Sequence, residues 1–357
     1  MSEFTHILHK ISNHLNEKLP FVIYSLPESK SITAYLQKDA ELYNTSAFEE
    51  DCFVFAPFDY QENSCCIPLE KSDIFESDYI YESIKKKEIE IIEEDSEKEN
   101  YCEHIKKAVR VIKSRHATKI VFSRKKEIPL TEFDLELLIH RILNLYPTAF
   151  RYVWYHPNTG LWCGASPEVL VQTEGVSFKT MALAGTRKHI EDVTPKWTIK
   201  EIIEQKIVVE AISTSLQKVT SVVRISKTYN HQAASLVHLR TDINGILKKG
   251  KATLSTITSA LHPTPAVCGT PQEYAKNYIL ENENYQREYY TGFLGPICAK
   301  DSCSNLFVNL RCMKIEGNNA HLFVGGGITI DSIPVNEWEE TQHKLHTMLQ
   351  VLDPMIY

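Results

Sequence analysis

With 357 residues, of which 43% are apolar and 24% charged, the chain has the length and composition of a globular protein with a large core, which excludes disordered and fibrous classes. Its net charge of −7 provides no basic surface for nucleic acid or for an anionic membrane, although a small anionic substrate needs only local positive charge. We expect a cytoplasmic protein with reduced thiols. The nine cysteines show no CxxC spacing, the N-terminus has no apolar leader, and no apolar run reaches about 20 residues.

The first hundred residues predict one helix and two strands. Apolar residues recur at helical spacing over 4–18, and "FVIYSL" and "DCFVFAPF" are typical of strands. The charge-dense segment "KKKEIEIIEEDSEKEN", residues 85–100, predicts a solvated connector without a function.

From residue 101 onward, helices and strands follow one another without a regular βαβ order. Helices are predicted over 101–115, 132–145, 195–216 and 335–352. Strands are predicted in "TKIVFSRKKEI", "FRYVWYHP", "GLWCGASPEVLVQTEG", "GFLGPICAK" and "NLFVNLRCMKIEGNNAHLFVGGGIT", the last with a hairpin at "GNN". This mixture predicts an α+β fold, in which a single large domain of mainly antiparallel β-sheets is flanked by helices.

The last predicted helix carries charged residues on a stripe of its own. Glu337, Glu340 and Lys344 share that stripe at i, i+3 and i+7. Two carboxylates beside a core-facing edge could hold a hard cation such as Mg²⁺, and the alternative is a solvated face with a Glu340–Lys344 ion pair. In the helix near residue 200, Glu201 and Glu204 share one side, so either could complete such a metal site or simply face water.

Three other features allow both a functional and a structural interpretation. The run "VGGGIT" lets the backbone approach a ligand closely, or forms a bulge. Glu168 follows a Ser-Pro turn between strands and could point into a cleft. Lys119 precedes an apolar strand; a lysine acts as a base only when its surroundings lower the pKa from about 10.4, so its own sequence context favours an edge lysine that reaches water. The proline-rich "LHPTPAVCGTP" predicts a rigid connecting loop.

Taken together, these stretches resemble the chorismate-utilising enzymes, and most closely the isochorismate synthases. The resemblance covers roughly residues 100–352 and rests on ten blocks in the same order: "KIVFSR", "GASPEVLV", "ALAGTR", "KEIIEQKIVVEAI", "LVHLRTDINGIL", "LHPTPAVCGTP", "REYYTGFLGPI", "NLRCMKI", "LFVGGGIT" and "NEWEETQHKLHTML". It implies that residues 1–99 are a variable N-terminal part of the same domain, and that 100–357 form a chorismate-binding catalytic region with its active site in a cleft between sheet and helices.

The resemblance also implies a set of chemical roles. Mg²⁺ would be held by Glu204 and Glu340, with Glu337 as a direct or water-mediated contributor, and would bind the ring carboxylate of chorismate. Lys119 matches the general base that activates water for attack at C2. Glu168 matches the general acid that protonates the departing C4 hydroxyl.

Six further positions match substrate contacts in the family. Arg311 suits the enolpyruvyl carboxylate, because a guanidinium can bind a carboxylate through two parallel hydrogen bonds. The full set is Gly185, Ala266, Tyr290, Arg311, Gly325 and Lys344. The chain departs from the family pattern at Gln205, where many relatives have histidine, and in "VGGGIT", where "AGAGI" is commoner.

The predicted reaction is the Mg²⁺-dependent isomerisation of chorismate to isochorismate, which feeds menaquinone or siderophore biosynthesis. Lys119 favours water over ammonia as the nucleophile, and Ala184 stands where many aminodeoxychorismate synthases carry a lysine. No obligatory glutaminase subunit, nucleic acid or membrane partner is expected. The alternatives are a salicylate synthase, which adds pyruvate elimination, and a non-catalytic relative that acts as a binding subunit.

Overall fold

Two antiparallel β-sheets with helices on their outer faces form the body of the protein in the computed structural model. The structure describes residues 3–60, 64–87, 89, 93–189, 191, 194–233 and 236–356. The helices are α1 (Glu3–Asn16), α2 (Asp95–Lys113), α3 (Leu135–Leu145), α4 (Ile199–Leu216), α5 (Leu254–Leu261), α6 (Gln272–Asn282) and α7 (Pro334–Leu352). The strands are β1 (Phe21–Ser25), β2 (Ser31–Gln37), β3 (Tyr43–Thr45), β4 (Cys52–Ala56), β5 (Ser64–Pro68), β6 (Ser72–Asp78), β7 (Lys119–Pro129), β8 (Phe150–His156), β9 (Gly160–Ser166), β10 (Val169–Glu174), β11 (Ser177–Lys188), β12 (Thr220–Ile225), β13 (Tyr229–Ala233), β14 (Leu236–Leu247), β15 (Gly269–Thr270), β16 (Phe293–Cys298), β17 (Cys303–Val308), β18 (Cys312–Glu316) and β19 (Asn319–Ile328).

The first sheet has the strand order β15–β7–β19–β18–β9–β8–β1–β2–β6, and the second has the order β12–β14–β11–β10–β17–β16–β4–β5–β3, with β13 also paired to β14. All these neighbours run antiparallel. The prediction of an α+β fold with mainly antiparallel sheets and flanking helices is confirmed. In the part of the chain that the structure describes, no helix is both long enough and apolar enough to cross a membrane.

Aromatic side chains from both sheets fill the space between them. In β8, Phe150, Tyr152 and Trp154 face the second sheet, whereas Val153 points to the helices on the other side. The ring of Phe150 stacks on Phe307 of β17 with the centroids 4.1 Å apart. Side chains alternate between the two faces of a strand, and both faces of this strand are covered, so its sequence is an almost continuous apolar run.

The helices form the outer layers. Helices α1, α3 and α7 pack on the first sheet, α4 and α5 pack on the second, and α2 and α6 cover β7 near the edge of the first sheet. This arrangement brings α4 and α7, from opposite layers, to the same end of the sheets.

Helices α2 and α4 depart most from their predicted starting residues. Helix α2 begins at Asp95, so the last six residues of the predicted connector at 85–100 are helical, although their side chains are mostly exposed. Within that connector, residues 88 and 90–92 lie outside the described residues. Helix α4 begins at Ile199 rather than at 195, because Thr198 and Glu201 form a capping box that satisfies its free N–H groups.

The chain crosses between the sheets twice at neighbouring points. Pro167 and Glu168 link β9 of the first sheet to β10 of the second, and proline suits the end of a strand because it has no N–H for the ladder. The segment that contains Arg311 links β17 back to β18. The two crossings are hydrogen-bonded to each other, since the Ala165 N–H donates to the Arg311 carbonyl and the Val308 N–H to the Glu168 carbonyl, both at 3.0 Å. Glu168 and Arg311 are thereby held side by side where the sheets meet.

A buried ion pair ties the proline-rich loop to β7. Arg287 and Glu283 are each 2% exposed, with Nη2 and Oε1 2.6 Å apart. Arg287 also donates to the carbonyls of Val267, in the loop, and Val121, in β7, each at 2.9 Å. Glu283 accepts from the backbone N–H of Ser123 at 2.7 Å. The pair therefore holds together three segments that are far apart in sequence.

We expect Arg287→Met to lower the free energy of unfolding by about 3–5 kcal/mol, because it leaves the Glu283 carboxylate buried without its partner. Urea unfolding followed by circular dichroism measures this change. The matched control is Lys106→Met, which breaks the solvent-exposed pair with Glu103 and should leave the midpoint unchanged. A similar small effect for both variants would contradict the structural role of Arg287.

Candidate active site

A cleft lies where the sheets meet helices α4 and α7, and its volume is about 680 Å³ when the space at its opening is included. Nine of the eleven residues singled out from the sequence line it: Glu168, Gly185, Glu204, Ala266, Tyr290, Arg311, Gly325, Glu340 and Lys344. The other two lie next to it, since Lys119 contacts Glu204 and Glu337 faces Gly326 of the lining. The structure therefore brings the predicted residues together from nine segments of the chain.

Lys119 is completely buried, with 0% of its surface exposed. It is the first residue of β7, and the two-residue strand β15 covers it, with Thr270 directly opposite. Its Nζ atom lies 3.0 Å from Oε1 of Glu204 but makes no well-oriented hydrogen bond within the described residues. The interpretation of Lys119 as an edge lysine that reaches water is therefore wrong, and its N–H groups are available to a ligand.

Glu168 is held in the crossing between the sheets, with 2% of its surface exposed. Its carboxyl oxygen Oε1 accepts a long hydrogen bond of 3.4 Å from the hydroxyl of Thr264, in the proline-rich loop. Burial raises the pKa of Glu168 to about 8, against the opposing effects of Lys119, Thr264 and Lys344. At neutral pH the side chain is consequently a carboxylic acid that can donate a proton.

Three carboxylates approach the glycine run of β19 from two helices. A Cβ atom on Gly327 would lie only 2.1 Å from Oε1 of Glu204, which comes from α4. A Cβ atom on Gly326 would lie 3.2 Å from Oε2 of Glu337 and 3.7 Å from Oε1 of Glu340, both on α7. Glycine is required here because the carboxylates approach the backbone of the strand closely, and not because the backbone angle is unusual. Any side chain on Gly327 would occupy the place of the Glu204 carboxylate.

Each of these carboxylates is paired with a lysine. The Nζ–Oε1 distances are 3.0 Å for Lys119–Glu204, 2.8 Å for Lys200–Glu337 and 2.6 Å for Lys344–Glu340. Burial alone would raise the pKa of Glu340, but Lys344 and Lys200 lower it to about 2. Burial raises the pKa of Glu337, with Lys200 opposing it.

The donor atoms fit a hard divalent cation. Carboxylate oxygens are the ligands that Mg²⁺ prefers, and Oε2 of Glu337 is buried without a well-oriented hydrogen-bond partner. In the present arrangement, with each carboxylate held by a lysine, the described residues contain no group of three or more histidine, cysteine, aspartate or glutamate side chains placed to hold a metal ion. The assignment of Glu204, Glu340 and Glu337 as ligands thus remains a prediction.

The side chains of Arg311 and Lys344 add positive charge to the lining of the cleft. Arg311 donates from Nη1 to the Thr347 hydroxyl at 3.2 Å, and burial lowers its pKa to about 10, so it stays charged at neutral pH. Lys344 donates to the Gly325 carbonyl at 2.7 Å as well as to Glu340. With an overall charge of −7, the protein concentrates positive charge at this point, as an anionic ligand requires.

His238 is a cleft residue that the sequence reasoning missed. Its Nδ1 atom lies 3.0 Å from the carbonyl of Gly185, whose φ of +68° marks a bulge in β11. Since a carbonyl only accepts, a hydrogen bond to Gly185 places the proton on Nδ1, and Nε2, which is buried without a hydrogen-bond partner among the described residues, is then an acceptor. Burial, followed by Arg311 and Lys344, lowers the pKa of His238 to about 3, which keeps the ring neutral. The only sequence signal was a polar residue in the otherwise apolar "LVHL".

The remaining predicted residues form the walls. Tyr290 is 3% exposed and stacks on Phe323 with a centroid distance of 5.4 Å. Ala266 is a wall residue from the proline-rich loop, and a hydrogen bond from Arg287 holds that loop in position. His262 in the same loop contacts the carbonyl of Phe58 at 3.1 Å and does not line the cleft.

The chain is similar to several known enzymes. A family model for chorismate-binding enzymes matches residues 53–353. Isochorismate synthase EntC of Escherichia coli K12 is 29% identical over 265 residues, which cover 71% of this chain and 67% of that one. Anthranilate synthase component 1 of Streptomyces coelicolor is 32% identical over 264 residues, which cover 70% of this chain and 50% of that one.

The crystal structure of DhbC from Bacillus anthracis has the same fold, with a TM-score of 0.79 at 24% identity over 94% of this chain and 96% of that one. The two sequence relatives are named for different reactions at similar identity, so identity alone leaves the reaction open. The family model, however, spans most of the chain, and the chain belongs to the chorismate-binding enzyme family.

Proposed function

We propose that this protein is an isochorismate synthase, which converts chorismate to isochorismate with Mg²⁺ held by Glu204, Glu340 and Glu337. The observation that carries the proposal is that a buried neutral carboxyl group, Glu168, lines the cleft and a buried lysine, Lys119, adjoins it. An exchange of hydroxyl groups across a ring needs a base for the incoming water and an acid for the leaving hydroxyl, and these two residues can supply both.

In the proposed reaction Lys119 takes a proton from the water that attacks C2, while Glu168 gives its proton to the C4 hydroxyl, which leaves as water. The ring double bond shifts with the displacement. One water enters and one leaves, so the product is an isomer of the substrate.

Lys119 must be a neutral amine before it can accept that proton. Its Nζ atom lies 3.0 Å from Oε1 of Glu204, so the positive charge of a cation bound at Glu204 would take over this contact and release the amine towards the water. Bound Mg²⁺ would supply this charge and would also neutralise the ring carboxylate of the substrate.

The opposite end of the cleft fits the rest of a chorismate dianion. The guanidinium of Arg311 binds the enolpyruvyl carboxylate, and Lys344 adds a second positive charge. The unpartnered Nε2 of His238 accepts a hydrogen bond from a ring hydroxyl. Gly185, Gly325, Ala266 and Tyr290 complete the pocket through backbone and wall contacts.

Two other reactions of chorismate would give different products. A salicylate synthase would go on to eliminate pyruvate, and an anthranilate synthase would use ammonia in place of water. A non-catalytic binding subunit is disfavoured by the presence of Lys119, Glu168 and all three glutamates. The product would serve menaquinone or siderophore biosynthesis.

The direct test is to incubate the purified protein with chorismate and Mg²⁺, with and without ammonia, and to separate the products by chromatography. We expect isochorismate alone, and we expect EDTA to abolish its formation until Mg²⁺ is restored. Salicylate with pyruvate, or anthranilate, would replace the proposed reaction by one of the alternatives. No product under any condition would contradict the enzyme function, and activity unaffected by EDTA would contradict the metal site.

For Lys119→Ala we expect a loss of kcat of at least about 100-fold, because the base is removed. The matched control is Lys125→Ala, which removes an exposed lysine from the same strand and should retain full activity. Circular dichroism verifies that both variants are folded. Activity close to wild type in the folded Lys119 variant would exclude it as the base.

The pKa of about 8 for Glu168 predicts that kcat/KM declines as pH rises above about 8, because the acid then loses its proton. Glu168→Gln should lower kcat strongly at every pH, whereas Glu174→Gln, at the exposed end of β10, should keep the wild-type profile. An unaltered rate in Glu168→Gln would exclude Glu168 as the acid.

Stability provides an independent measure of the same group. The folded pKa of Glu168 lies above its unfolded value of about 4.5, so the folded state binds the extra proton and this contribution to stability is lost as pH rises towards 8. Glu168→Gln, which is always neutral, should therefore gain thermal stability relative to wild type between pH 6 and pH 9. A constant difference in melting temperature would show that Glu168 is charged throughout this range.

A further inference from the structure

One partly buried lysine beside the carboxylates has no part in the proposed reaction. Lys200 is the second residue of α4, and its side chain is 20% exposed. Its Nζ atom lies 2.8 Å from Oε1 of Glu337, a carboxylate whose side chain is only 2% exposed. Lys119 and Lys344 line or adjoin the substrate cleft, whereas Lys200 approaches from the opposite side.

That opposite side is a second, open groove. Lys200, Glu337 and Glu340 all line it, and Glu340 also lines the substrate cleft. The cluster of carboxylates thus forms a partition between the two, with Lys200 on the outer side. The charges of Glu204 and Glu340 also act on Lys200, so it lies close to the centre of the negative charge.

The two oxygens of Glu337 are in different situations. Oε1 contacts Lys200, whereas Oε2 faces Gly326 and has no well-oriented hydrogen-bond partner among the residues that the structure describes. Lys200 therefore fixes the orientation of Glu337 and leaves one oxygen available for a cation. Its own positive charge, however, repels any cation that binds there.

We propose that Lys200 is the internal counter-cation of the Glu204–Glu337–Glu340 cluster, which stabilises the metal-free protein and weakens the binding of Mg²⁺. This inference rests on the metal site of the proposed function. Without a cation, Glu337 and Glu340 lie one helical turn apart in a buried place and repel each other, and Lys200 offsets this repulsion. When Mg²⁺ binds, the charge of Lys200 is no longer needed there and opposes the metal.

The test is the affinity of the metal-free protein for Mg²⁺ alone, measured by isothermal titration calorimetry. Lys200→Gln keeps an N–H donor for Glu337 but removes the charge, and we expect it to bind Mg²⁺ at least about tenfold more tightly than wild type. Lys200→Arg keeps the charge and should bind within about threefold of wild type. Lys206→Gln is the matched control, because Lys206 lies on the same helix with a side chain that is 73% exposed, and it should leave the affinity unchanged.

Thermal unfolding supplies a second measurement that does not depend on activity. Metal-free Lys200→Gln should melt several degrees below wild type, and excess Mg²⁺ should remove most of the difference. If this variant does not remain folded without metal, it can be purified in Mg²⁺ and its affinity obtained by competition with EDTA.

The outcomes separate the two proposals. If wild type binds no Mg²⁺, the metal site of the proposed function fails and the role of Lys200 fails with it. If wild type binds Mg²⁺ but Lys200→Gln binds it equally or more weakly, only the role of Lys200 is overturned. Equal melting temperatures of the metal-free proteins would likewise overturn its stabilising role.

Discussion

Mutual neutralisation of buried charges is the condition on which the rest of this site depends. Three glutamates and three lysines lie beside one glycine-rich strand, away from the water that would otherwise solvate them. An isolated carboxylate in such a place would take up a proton, as Glu168 does a short distance away. Lys344 and Lys200 keep the pKa of Glu340 low, so that it is an anion, whereas burial raises the pKa of Glu168, so that it remains available as an acid. One cleft therefore holds carboxyl groups in both protonation states at the same pH.

The two-sheet architecture makes this arrangement possible. Helix α4 belongs to the layer on the second sheet and α7 to the layer on the first, so their glutamates can meet only at the end where the sheets adjoin. Glu168 and Arg311 lie in the two crossings between the sheets, which are hydrogen-bonded to each other. The backbones that carry the acid and the cation are consequently held next to each other by hydrogen bonds.

The fold class and most cleft residues could be predicted from the sequence. The periodicity of apolar residues that marks helices and strands is local, and the sequence blocks that match the family contain the site residues. What could not be predicted depends on pairing between distant segments. Lys119 looked like an edge residue, and only the strand formed by Gly269 and Thr270 buries it. His238 was missed because its role follows from lying opposite Thr186 in the β11–β14 register. Lys200 meets Glu337 across two helices, a contact that no motif encodes.

The division of the sheets has a consequence for the first hundred residues, of which the family model matches only those from residue 53 onward. Strands β1, β2 and β6 complete the first sheet, and β3, β4 and β5 complete the second, so residues before 100 supply the outer strands of both. A fragment that begins near residue 100 would keep every candidate site residue but leave β8 and β16 as open edges beside an exposed aromatic core. Such edges are templates for aggregation. Strand pairing uses backbone groups, which are the same for every residue type except proline, so this region can diverge in sequence while remaining indispensable to the fold.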